Sequence, residues 1–157
     1  MKSAAKAFSL VELLIVIAIL GILAAIAAPN FTRYKGNANL KAAAREISGD
    51  IQYCKQRAVA ENVHYRIAIS FENNNYIIQK ETSTSNWTNV SSIKNIGKDD
   101  ASIKIIEDPT FESDKIIFQP RGTTNAGTLV IQHEQLLSKA SIITSLMGRV
   151  RIQYELK

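Results

Sequence analysis

One segment limits what this chain can fold into more than any other. From Phe8 to Ala28 run 21 residues, about 18 of them apolar, and the only charge inside the run is Glu12. As a helix this run is about 32 Å long, close to the thickness of a hydrocarbon core. Lys2 and Lys6 precede it, no A-x-A cleavage pattern follows it, and it exceeds a secretory h-region. Basic residues before the run and a large polar segment after it orient the start inward and the bulk outward. The expectation is a single-pass anchored protein with its head outside the cytoplasmic membrane. Glu12 is the anomaly, because an ionised carboxylate at this depth costs several kcal/mol without a partner. Two readings are open: a carboxylate at headgroup level, or one that pairs with a positive charge on a neighbouring chain.

The rest of the composition is that of an ordinary soluble domain, which excludes disordered, collagen-like and polytopic classes. The 157 residues suffice for one domain, and 19 basic against 14 acidic residues give a net charge of +5. Removing Lys2 and Lys6 with a leader would leave about +3, which names no partner by itself. One cysteine forbids an internal disulfide, and one cysteine with two histidines argues against a zinc cluster. No cofactor is implied.

After Pro29 the period stays helical. Leu40, Ala44, Ile47, Ile51, Cys54 and Ala58 form one stripe, with Lys41, Arg45, Asp50, Lys55 and Arg57 on the opposite faces. The helix is expected to reach Glu61 and stop at Asn62. Cys54, inside the stripe, reads as a buried, inert thiol. Pro29 removes a donor and clashes with the carbonyl four residues earlier, which predicts a kink near Ala25; Gly21 is a second weak point.

From Val63 the period becomes two. Strands are expected at Val63–Phe71, Tyr76–Glu81, Val90–Ile96, Ser102–Ile106, Lys115–Gln119, Thr128–His133, Ile142–Leu146 and Arg149–Leu156. Glu72 to Asn75 supplies a turn, Thr82 to Asn89 a polar loop carrying Trp87, and Asn125-Ala126-Gly127 a hairpin. The predicted class is α+β: a long helix packed on an antiparallel sheet or small sandwich. In boundaries, this gives a leader at 1–7, a hydrophobic helix at 8–29, its amphipathic continuation at 30–62 and a β head at 63–157.

The start, Phe8-Ser9-Leu10-Val11-Glu12-Leu13-Leu14 followed by an apolar helix with Gly21 and Pro29, resembles the type IV prepilin N-terminus of pilins and type II secretion pseudopilins. The resemblance implies a pilin-like fold and cleavage by prepilin peptidase between Ala7 and Phe8, with methylation of the new Phe8 terminus. It also implies pairing of Glu12 with the Phe8 amine of a neighbouring subunit, which would neutralise both charges in a low-dielectric layer. Ala7 stands where this family usually has glycine, and slower processing is expected. Two further segments, Gln56 to Val63 and Phe118-Gln119-Pro120-Arg121-Gly122 with the stretch up to Ile131, resemble the GspH/FimT group of pseudopilins and minor pilins. That likeness implies a structural filament subunit in the bacterial inner membrane, its head in the periplasm or exported in a pilus. Its partners would be other pilins or pseudopilins.

No enzyme constellation is visible. His64 and His133 have no matched nucleophile and read as solvated, while Asp99-Asp100 and Glu107-Asp108 lack calcium-loop spacing and read as turns. The sharp candidate is Gly148-Arg149-Val150-Arg151. On a strand the two arginines share a face about 7 Å apart, a spacing that can reach successive phosphates of one DNA strand. The motif also resembles the C-terminal Gly-Arg-x-Arg of minor pilins thought to bind double-stranded DNA in natural transformation. Arg121, Lys139 and Lys157 would join the patch if the fold brought them near. The alternative is a solvated edge strand whose charges deter aggregation.

Overall fold

The computed structural model describes residues 9–83, 86–107 and 109–157, with the side chains of Ala27 and Pro29 excepted. Lys2, Lys6, Ala7, Phe8 and Asp108 lie outside the described residues. The chain divides into two compact units, Met1–Lys35 and Gly36–Lys157. A helix, α1 (Leu10–Glu61), runs through both.

Among the described residues of the first unit the large apolar side chains are all exposed, from Leu10 at 73% to Ile26 at 65%. Among the described residues no single helix is long and apolar enough to cross a membrane. The stretches Leu10–Ile26 and Asn30–Glu61 together would qualify by length and composition.

In the second unit the helical stripe is the core. Leu40, Ala44, Ile51, Cys54 and Ala58 have no accessible surface, and Ile47 is nearly as buried. The helix ends because Asn62 adopts φ +54° and the Val63 amide donates back to the Ala58 carbonyl at 3.3 Å. That is the bond pattern of a Schellman cap, closed by asparagine in place of glycine. Val63 then packs on the core.

Among the described residues nine strands follow: β1 (Tyr65–Ser70), β2 (Asn75–Ser83), β3 (Asn86–Asn89), β4 (Lys94–Asn95), β5 (Ile103–Ile105), β6 (Lys115–Phe118), β7 (Gly127–His133), β8 (Ser138–Thr144) and β9 (Val150–Glu155). They form two antiparallel sheets, β3-β2-β1-β6 with β4 also on β2, and β5-β7-β8-β9. Strict alternation places Tyr65, Ile67 and Ile69 of β1, Ile116 and Phe118 of β6, and Leu129 and Ile131 of β7 in one core with the helix stripe.

Several expectations are corrected. Trp87 is on β3, not in a loop, opposite Glu81 of β2. The run Val90–Ile96 is not one strand, because the Val90 and Ser91 amides both turn to the Ile78 carbonyl and end β3; Ile93 is left 62% exposed. The strand placed at Ile142–Leu146 begins at Ser138 and stops at Thr144, leaving Leu146 in a turn. No hairpin forms at Asn125. Its side-chain oxygen accepts from the Ile117 amide at 2.8 Å and its amide donates to the Lys115 carbonyl at 2.6 Å. Asn125 thereby stands in for a neighbouring strand on β6, and the chain crosses to the other sheet. β7 opens on glycine because a Cβ at Gly127 would collide with the Phe111 ring.

Asp50 is not on a solvated face. It accepts from the Tyr76 hydroxyl at 2.6 Å and pairs with Lys94 at 2.7 Å. His133 is buried rather than solvated: its side chain is 6% exposed and its Nε2 lies 3.3 Å from Asp100. The cause is a close approach by the helix. A Cβ on Gly36 would come within 2.8 Å of that ring nitrogen, so glycine at this point lets the helix close over the imidazole.

Candidate functional site

The residues singled out by the sequence fall in two regions, one in each unit. In the first, Ser9 precedes α1 and its hydroxyl accepts from the Val11 amide at 3.3 Å. Ser9 is thus the N-cap and Glu12 falls three residues later, the spacing of a capping box. A carboxylate in the first helical turn is favoured by the helix dipole, so Glu12 has a local role besides any pairing. Gly21 has open space around it, with nothing within 4 Å of a would-be Cβ.

In the second unit the site is the turn between β8 and β9, Ser145 to Arg149. The Gly148 amide donates to the Ser145 carbonyl at 2.7 Å, and Gly148 has φ +66°. The Ser145 amide donates to the Arg149 carbonyl at 3.0 Å, which extends the ladder one residue beyond β9. Lys55 reaches across from the helix and donates from Nζ to the carbonyls of Met147 (3.0 Å) and Gly148 (3.3 Å). A Cβ at Gly148 would meet the Gly122 carbonyl oxygen at 2.8 Å and the Lys55 Cδ at 2.9 Å. The glycine opening the Gly-Arg-Val-Arg run is therefore demanded by both backbone conformation and a close approach.

Beyond it, Arg149 and Arg151 are exposed and Val150 packs on the core, as alternation requires. Among the described residues neither arginine has an ion-pair partner. Between this turn and the helix lies an open groove of about 610 Å³, lined by Gln52, Gln56, Val59, Ala60 and Val150. Of the further cations proposed for the patch, only Arg121 is close in the fold. It sits in the turn closed by Gly122 N–H to Gln119 (2.8 Å), the turn whose Gly122 oxygen faces Gly148. Lys139 sits opposite Glu155 and 3.9 Å from Glu107, four residues along the ladder from the Arg151 pair. Lys157 is farther along still, its amide on the Ser138 hydroxyl. Lys55 carries no sequence signal, because its role depends on a turn 92 residues away.

Several other polar groups are paired in ways that build the fold. Glu61 accepts from Lys80 and from the Tyr65 hydroxyl and pairs with Arg57. The hydrogen bond from Lys80, then that from Tyr65, holds its carboxyl below the usual range. His64 lies 2.6 Å from Glu81, and the Arg66 guanidinium stacks 4.1 Å above the Trp87 ring. Burial pushes the Cys54 thiol up to about 12, and nearby Asp50 adds to it, so this sulfur is not a nucleophile at neutral pH. Among the described residues no three metal-ligating side chains cluster.

Comparison with known proteins agrees with this architecture. A family model for the prokaryotic N-terminal methylation motif matches residues 2–28, and one for the type II transport protein GspH matches residues 43–148. Among solved structures, the minor pseudopilin EpsH from the type 2 secretion system of Vibrio cholerae superimposes with a TM-score of 0.60 at 10% identity, covering 73% of this chain and 96% of that one. The type IV minor pilin FimU of Pseudomonas aeruginosa gives 0.59 at 16% identity, over 76% and 92%. At such identities these likenesses speak for the fold, a long N-terminal helix with antiparallel sheets. The match over residues 43–148 takes in most of the chain, which belongs to the GspH family and carries the N-terminal methylation motif at its start.

Proposed function

We propose that this chain is a minor pilin or pseudopilin, a structural subunit anchored by its apolar helix in the bacterial inner membrane and incorporated through that helix into a type IV pilus or type II secretion filament. The observation that carries the reading is the uninterrupted exposed apolar surface of Leu10–Ile26 with one carboxylate in its first turn. A surface of that extent needs lipid or neighbouring helices to cover it. Prepilin peptidase removes residues 1–7 at Ala7–Phe8, the Phe8 amine is methylated, and Glu12 of one subunit pairs with that amine on the next. Gly21 and Pro29 let the helix loosen between them as subunits pack. The subunit works by anchoring and recruiting, not by catalysis. Glu12→Val tests this: membrane insertion should persist and incorporation with partner pilins should fall. Normal incorporation would refute the pairing, and an intact Met1 terminus by mass spectrometry, where prepilin peptidase is active, would refute the processing.

A second reading, DNA uptake, is favoured by one observation: Arg149 and Arg151 are exposed and lack an acidic partner among the described residues. Two such cations on one strand face suit phosphates and carry no base readout. The chain should then bind double-stranded DNA weakly, with little sequence preference and with steep salt dependence. Absence of binding at low salt in an anisotropy titration, or equal binding by Arg149→Ala/Arg151→Ala, would sink this reading.

A further inference from the structure

The turn that presents the arginines also presents two aliphatic side chains, and its construction is unusual for a solvent loop. All five carbonyls from Ser145 to Arg149 are engaged: Ser145 by the Gly148 amide, Leu146 by the Thr124 amide at 3.0 Å, Met147 and Gly148 by Lys55, and Arg149 by the Ser145 amide. The Arg149 amide is held as well, on the Ser145 hydroxyl at 3.3 Å. Yet this fixed backbone turns Leu146 and Met147 outward, 65% and 77% exposed. Met147 is the most exposed large apolar side chain among the described residues. A backbone bonded this fully under exposed apolar side chains suits a contact element better than a permissive loop, which would carry polar residues and fewer bonds.

The surroundings narrow the partner. Arg149 and Arg151 follow directly, Arg121 comes from the adjoining turn, and among the described residues Glu112 is the one acidic residue lining the neighbouring hollow with Leu146 and Met147. The partner must therefore be anionic and offer apolar surface close to its charges. A bilayer answers that description, but two side chains are too little apolar area for stable insertion. A base step answers it with one or two side chains: apolar wedges of Leu or Met type part stacked bases while arginines hold the flanking phosphates.

We infer that the Leu146–Met147 tip is a DNA wedge, inserting at a base step while Arg149 and Arg151 hold the adjacent backbone. The inference rests on the DNA-uptake reading and adds a preference to it. Duplexes with flexible pyrimidine–purine steps should be favoured over stiff A-tracts, because they open and kink more easily.

The test uses the full chain in nanodiscs of neutral phosphatidylcholine. Two short duplexes serve as probes, one with a fluorescent adenine analogue at a central TA step and one an A-tract of equal length. At saturation the analogue should brighten several-fold as it unstacks, and the A-tract should bind roughly tenfold more weakly. Leu146→Ser/Met147→Ser should abolish the brightening and the preference while salt-dependent binding survives. Met147→Gln alone, a single exposed change, should reduce both and covers the case in which the double variant folds poorly. Binding without brightening, or unchanged brightening in the serine variant, overturns the wedge and leaves the phosphate contacts standing. No binding by the wild-type chain overturns both. Binding to phosphatidylglycerol vesicles with no brightening on DNA would assign the tip to lipid and overturn the proposal.

Discussion

Replacing Gly148 by alanine tests whether the motif is pinned between its two neighbours. A non-glycine residue in the left-handed region loses about 1–2 kcal/mol. The new Cβ would also sit 2.8 Å from the Gly122 carbonyl oxygen, and that oxygen cannot easily retreat. Its turn is closed by Gly122 N–H to Gln119 at 2.8 Å and by Gln119 N–H to Thr123 at 2.9 Å. The other close atoms, Cδ and Cε of Lys55 at 2.9 and 3.0 Å, can swing away, but doing so takes Nζ off the Met147 and Gly148 carbonyls. Those bonds are partly solvated, so their loss adds about 1 kcal/mol. Against this, alanine restricts the unfolded chain and returns about 0.4–1 kcal/mol. The net expectation is a destabilisation of about 1–3 kcal/mol, or a melting shift on the order of 10 °C for a head of this size. Trp87 is the only tryptophan and is stacked under Arg66, so its fluorescence reports head unfolding without interference from the stem. Gly148→Asn, which tolerates positive φ better, should lose about 1 kcal/mol less. Wild-type stability in the alanine variant would mean that the turn is not pinned between Gly122 and Lys55.

Two other perturbations probe how the head is joined. Asn74→Ala removes side-chain bonds to the Ile96 carbonyl (3.0 Å), the Ile103 carbonyl (2.9 Å) and the Ile105 amide (2.9 Å), and chemical denaturation should show a loss of about 2–4 kcal/mol. Asn74→Gly should lose less, because φ at this position is +50°. Glu61→Gln addresses pH. Because the folded carboxyl lies below its ordinary value, its contribution is present above the unfolded value and disappears as pH falls through the folded one. The glutamine variant should therefore show a shallower acid decline in melting temperature, and an unchanged decline would deny Glu61 that role.

The elements legible in the sequence are those whose signal is local. The stripe from Leu40 to Ala58 is a helix face whatever surrounds it, and Tyr65-Ile67-Ile69 alternate whatever they pair with. The cap at Asn62 is readable because asparagine tolerates the left-handed region. The illegible features depend on partners distant in sequence. Asn125 looks like a turn residue until the Ile117 amide and Lys115 carbonyl of β6 are seen to bond its side chain, and Asn74 resembles the other asparagines of its loop until β5 arrives beside it. Polarity alone places His133 and Asp50 in solvent. Each is covered because a specific partner, Asp100 or Lys94 with Tyr76, satisfies it where apolar packing alone would not. At the candidate site, spacing alone puts Arg149 and Arg151 on one face. The anchoring by Lys55 and the approach of Gly122 emerge only with the fold.

The two functional readings place their key residues in different units, which makes them separable in a single set of variants. Glu12 lies in the first unit and the arginine pair in the second. If the arginines serve DNA, Arg149→Ala/Arg151→Ala should enter filaments as the wild type does, keep its melting temperature and lose only DNA binding. Stability should hold because both side chains are exposed and the inward position between them, Val150, is untouched. Glu12→Val should show the converse, with DNA binding kept and incorporation reduced, since a carboxylate in the stem contributes nothing to phosphate contacts in the head. The informative failure is a shared one. Should the arginine variant lose incorporation as well, the unpaired cations beside the groove at Gln52, Gln56 and Val59 are a contact to a neighbouring subunit, and any DNA signal is ordinary attraction between a basic surface and a polyanion. Quantitative incorporation measured by co-purification with partner pilins, alongside anisotropy on the same preparations, distinguishes these outcomes.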